Sequence, residues 1–163
     1  MNLRAHLTAC AIVACAGTAS AQGVVKASRL SASLASEAVM AAVEACAQQS
    51  QAVTAVILDS SGVAQAMVRG DDAGIHTVET ADAKAYTAVT FKVDTIELVE
   101  RARGGTVSSA IAKLPRLLLA QGGVVIKFGE EVIGAIGVSG AKGNAIDTQC
   151  ARAGLERIKD RMK

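Results

Sequence analysis

The residues that could together ligate a metal and grip a charged group gather between Met67 and Lys92. His76 follows a loop of glycines and aspartates, Arg69-Gly70-Asp71-Asp72-Ala73-Gly74-Ile75. An imidazole there can ligate a transition metal or the iron of a metal-centred cofactor. It can equally be an ordinary loop histidine. Asp71 and Asp72, and Glu79 with Asp82 three residues on, can offer oxygens to a hard cation, although a solvated helix face carries the same pattern. Met67 is either a soft ligand or a filler of core space. Tyr86 can bind ferric iron through its phenolate, or simply pack and hydrogen-bond. Arg69, Lys84 and Lys92 can pair with carboxylates of a bound molecule, or be surface charge.

Several chemistries are absent from the pattern. There is no Gly-x-Ser-x-Gly elbow, no phosphate-cradling loop ending in Gly-Lys-Ser/Thr, and no Gly-x-Gly-x-x-Gly between a strand and a helix. The chain has 17 basic and 15 acidic residues mixed along its length, which leaves no basic footprint for a nucleic acid. Apolar residues make up 51% but aromatic ones only 2%, so the core must be built from Val, Ile, Leu and Ala. At 163 residues there is length for one domain with a real core.

The first 21 residues read as an address. Arg4, an apolar run from Leu7 to Gly17, and Ala19-Ser20-Ala21 form the three parts of a secretory signal peptide, with the domain at 22–163. The run is too short to span a bilayer, so no transmembrane segment is expected after cleavage. The expected destination is the periplasm or the cell exterior. Ile12-Val13-Ala14-Cys15 offers an alternative, a lipid-anchored N-terminus at Cys15. Cleavage would remove Cys10, Cys15 and His6, leaving His76 as the only histidine and Cys46 and Cys150 as the only cysteines. That residue set is too small for a zinc site. In an oxidising compartment the two cysteines can form a disulfide, or remain two buried thiols.

The elements that must position these groups read in the order α-β-β-α-α-β-β-α. Ser28 to Gln49 is helical by its apolar spacing, with Ser31 or Ser28 as cap. Ala52–Leu58 and Val63–Val68 form a hairpin around Asp59-Ser60-Ser61-Gly62. Thr77 is expected to cap a helix reaching about Lys92, and Thr95 a shorter one through Arg103. Ile111 to Leu119 is ambiguous, because Pro115 opposes a continuous helix. Val124–Phe128 and Glu131–Ser139 form a second hairpin around Gly129-Glu130. Asn144 is expected to cap the closing helix. Cys46 and Cys150 fall on the apolar sides of the two terminal helices. Two hairpins with helices around them make an antiparallel sheet carrying helices.

The closing run Gly134-Ala135-Ile136-Gly137-Val138-Ser139-Gly140, followed by Cys150-Ala151-Arg152-Ala153-Gly154, resembles the signature end of the GlcG/HbpS-like family of small haem-binding domains. Val56-Ile57-Leu58-Asp59-Ser60-Ser61-Gly62 is similar to that family's first hairpin, Arg69-Gly70-Asp71-Asp72-Ala73-Gly74 to its loop, and Asp82-Ala83-Lys84-Ala85-Tyr86-Thr87-Ala88 to its helix. Leu114-Pro115 and Gly122-Gly123 follow in the family's order. Gly74-Ile75-His76-Thr77 is similar to a Gly-Pro-His-Thr of exported members.

The resemblance covers about residues 28 to 158. It implies a profilin-like α/β (α+β) domain, with an antiparallel sheet of about five strands flanked by helices, that assembles into homo-oligomers. It also implies binding of haem, or of another tetrapyrrole or small molecule. His76 would then be the axial ligand, with Arg69, Lys84 and Tyr86 around it. The expectation is an exported haem-binding protein that handles or senses haem or iron. The alternatives are a small-molecule enzyme or accessory subunit of a catabolic operon using the same pocket, and a structural oligomer. The family name speaks of haem degradation, but no residue set here amounts to a catalytic one.

Overall fold

The structure, a computed structural model, describes Gly23 and residues 26–163. The signal-peptide reading of 1–21, with Cys15, lies outside the described residues. Among them α1 (Ala32–Ala47) leads into a hairpin of β1 (Thr54–Asp59) and β2 (Ala64–Arg69). Helices α2 (Thr77–Phe91) and α3 (Thr95–Arg103) follow, then a hairpin of β3 (Gly123–Phe128) and β4 (Glu131–Ser139), then α4 (Asn144–Ile158). The order is the expected one. The sheet has four strands rather than about five. Between α3 and β3 the chain instead makes a short 3-10 turn, Ser109–Lys113, then Pro115, with no donor, and Arg116 at a φ of 64°, a backbone that cannot continue a ladder.

The strands lie in the order β2-β1-β4-β3, every neighbouring pair antiparallel. The Asp59 carboxylate makes the first turn by accepting from Ser61 N–H and Val63 N–H at 2.9 and 3.0 Å. β1 is buried throughout because helices cover both faces. Ala55, Ile57, Ile126, Ile136 and Val138 face α1 and α4. Val56, Leu58 and Ala135 face α2.

Small residues let the layers approach. A Cβ on Gly137 would lie 2.1 Å from the Ala81 carbonyl oxygen, and one on Gly123 would lie 2.3 Å from that of Lys84. The backbone of α2 therefore rests on a bare track across β4 and β3. On the other face α1 and α4 are joined by a disulfide between Cys46 and Cys150, with a Cα–Cα distance of 5.5 Å.

The two edges of the sheet differ. On β3, Gly123 N–H donates to the Thr95 hydroxyl at 2.9 Å and Val125 N–H to the Asp94 carboxylate at 3.0 Å. β2 is hydrogen-bonded to β1 alone. The expected caps shift accordingly. Ser31 does cap α1. Thr77 and Thr95, however, are the first residues inside their helices, after His76 and Asp94, and Gly143 rather than Asn144 precedes α4. Both threonine hydroxyls are drawn to buried tertiary partners instead, Thr77 to Thr54 and Thr95 to Gly123.

Candidate functional site

Because α2 packs over β1, β4 and β3, the same face of β2 is left open. Met67 lies there, paired in register with Val56 and 41% exposed. Across from it run Val78, Glu79, Asp82 and Ala83 of α2, and the segment Arg116-Leu117-Leu118 closes the far side. Together they bound a groove of about 570 Å³ with mainly apolar walls. That size is within the range of small-molecule and cofactor sites.

The far wall is tied to α2 at three points. Arg116 donates from Nε and Nη2 to the two Asp82 carboxylate oxygens at 2.8 and 2.9 Å. Its guanidinium lies over the Tyr86 ring, 4.2 Å from the centroid. Leu118 N–H donates to the Thr87 hydroxyl at 2.9 Å, and that hydroxyl donates to the Ala83 carbonyl. The bond to Asp82 raises the guanidinium pKa above its usual value, so the charge is permanent.

His76 is not among the residues that line the groove; it precedes them at the start of α2. It has helical backbone angles, φ −66° and ψ −19°. Glu79, Thr80 and Ala83 follow at three, four and seven residues, which is one face of a helix. His76 is exposed and its side chain makes no capping bond. Its ring lies against Gly74, where a Cβ would come within 2.7 Å of the imidazole carbon Cε1. The backbone beneath it is fixed by Thr77, whose hydroxyl donates to the Gly74 carbonyl at 2.6 Å and accepts from Thr54.

The other expected residues scatter. Arg69 turns into its own loop and donates from Nε to the Ala73 carbonyl at 2.8 Å. Asp71 and Asp72 lie exposed in that loop. Asp82 is taken by Arg116, which leaves Glu79 alone at the groove. No group of three or more metal-ligating side chains occurs among the described residues. Tyr86 is covered by Arg116. Lys92 lies away from the groove, at the end of α2.

Lys84 departs furthest from its expected surface role. It is 2% exposed, and its ammonium donates to Asp147 at 2.7 Å and to the Val138 carbonyl at 3.1 Å. The other Asp147 oxygen accepts from Ala141 N–H at 3.0 Å. The pair fastens α2 to the corner between β4 and α4, and offers no charge to a ligand. Burial raises the Asp147 pKa above its usual value, against the opposing pull of Lys84. Sequence reading missed Arg116 and Asp147. Their partners lie 34 and 63 residues away, and no local spacing marks either.

No helix among the described residues is long and apolar enough to cross a membrane. Residues 30–156 match a family model described as haem degrading protein, HbpS-like. The chain is 31% identical to HbpS in a crystal structure, with 90% of this chain and 99% of that one covered and a TM-score of 0.79. It is similarly related to a double glutamate-to-aspartate mutant of HbpS from Streptomyces reticuli, at 31% identity, 93% and 99% coverage and TM-score 0.78. A PduOC:heme complex is 27% identical, with 79% and 94% covered and a TM-score of 0.73. No curated protein matches the chain significantly.

Proposed function

The chain belongs to the HbpS-like family, and on that premise we propose that it is an exported haem-binding protein that handles or senses haem or iron. The observation that carries this reading is the apolar groove beside β2, with the exposed His76 three residues ahead of its lining residue Glu79. Its residues fit a tetrapyrrole. Met67, Val78, Ala83, Leu117 and Leu118 supply apolar walls for a macrocycle, and an imidazole is a common axial ligand of haem iron. Such a group would bring redox and ligand-binding chemistry, while the protein holds and orients it. Similarity to a protein solved as a haem complex supports the reading.

Export rests on the signal-like N-terminus and on the Cys46–Cys150 disulfide, a bond that persists in oxidising compartments. Assembly into homo-oligomers and a place in the periplasm or outside the cell belong to the same proposal. The test is a haem titration of the protein followed by absorbance, with His76→Ala in parallel. The expected result is a saturable Soret band that shifts in the variant. Absence of a saturable band overturns the haem reading. An unchanged band in the variant removes His76 as ligand.

A further inference from the structure

We propose that the groove recognises its ligand by a carboxylate, and that Arg116 is the residue that grips it. This rests on the haem reading and deepens it. Of the charged residues lining the groove, Glu79 and Asp82 are acids and Arg116 is the one cation. Without it, the groove would repel any carboxylate.

A guanidinium carries five N–H donors in a rigid fork. Asp82 occupies one edge, through Nε and Nη2. The other edge, Nη1 with the second Nη2 hydrogen, has no hydrogen-bond partner among the described residues. That edge has the geometry of a bidentate carboxylate site. It is also preorganised. Asp82 and the Tyr86 ring already hold the plane, so binding orders little that was free. The side chain is 42% exposed and lines the groove, with Nη1 on the side of Gly62.

The ligand class follows from the juxtaposition: an apolar body for the groove with a carboxylate at its edge. Haem has this form, a flat macrocycle with two propionates. Of the cations the sequence offered for that role, Lys84 and Arg69 are already engaged with Asp147 and Ala73, and Lys92 lies away from the groove. Arg116 takes their place.

The experiment titrates wild type, Arg116→Ala and Arg116→Lys with haem and with haem dimethyl ester, whose propionates are blocked. Binding is read by absorbance, and folding by circular dichroism. Wild type is expected to favour haem over its ester by about 2- to 5-fold, the scale of a solvent-exposed ion pair. Arg116→Ala should lose that preference, the affinities for haem and ester becoming equal whatever the loosened wall costs both. Arg116→Lys, which keeps the charge but not the fork, should recover part of it. Haem binding by wild type with no preference over the ester, and no loss in Arg116→Ala, overturns the Arg116 proposal and leaves the haem reading standing. Failure of wild type to bind either porphyrin overturns both.

Discussion

The Lys84 ammonium and the Asp147 carboxylate meet at 2.7 Å with 3% and 2% of their side chains exposed, joining α2 to the start of α4 through the interior. Taking two charges out of water costs several kcal/mol each, and their attraction returns that only while both are present.

Removing one partner is therefore worse than removing both. Lys84→Met should lower stability by about 3–5 kcal/mol, because Asp147 is left charged and buried. Lys84→Met combined with Asp147→Leu should recover most of that loss. Chemical denaturation of the two single variants and the double variant measures the difference. A double variant as unstable as the sum of the singles would mean that the two charges do not act as a pair.

The pH dependence has a definite sign. The Asp147 carboxyl is pushed above its ordinary 3.8 by burial, so the folded state holds the proton more tightly than the unfolded chain. Stability linked to this group is fully present below about pH 3.8 and is lost as pH rises through the raised folded-state value. In the unfolding free energy of wild type minus Asp147→Asn, plotted from pH 3 upward, this component should fall and then level off. A rise across the same range would contradict the assignment.

How much of this was legible in the sequence depends on distance along the chain. The hairpin turns were visible because Asp59 to Gly62 and Gly129-Glu130 are local chemistry. Pro115 correctly marked a stretch that makes no long helix. The cysteines could be placed on the inner sides of two helices, but their bond needed the packing of α1 on α4. Lys84 reads as surface charge because lysine usually is one, and only the glycine track beneath α2 brings its stem inward to a carboxylate 63 residues away. The groove was invisible for a similar reason. It is bounded by one strand residue, one helix face and a far segment that share no sequence pattern.

The disulfide closes a long loop, with 104 residues separating its cysteines. On the chain-entropy account such a link stabilises by about 4–5 kcal/mol. Reduction, or Cys46→Ala with Cys150→Ala, should lower the melting temperature by many degrees and leave the groove unchanged at low temperature, since the bond lies across the sheet from it. A melting curve indifferent to reductant would show that the link is not formed in solution.

The glycine track makes the sharpest steric test. Gly137→Ala places a methyl 2.1 Å from the Ala81 carbonyl oxygen, so α2 must lift. A loss of about 1–3 kcal/mol is expected. Gly143→Ala meets nothing within 4 Å and should change stability by no more than about 0.5 kcal/mol. Equal effects of the two would mean that α2 does not rest on β4 as described.

The unequal edges of the sheet bear on how copies of the chain can associate. Asp94 and Thr95 occupy donors along β3 that an added strand would need, while β2 keeps its outward groups free for one. The two sides of the sheet are therefore unequal, with β2 the more open. An added strand would meet least obstruction along β2.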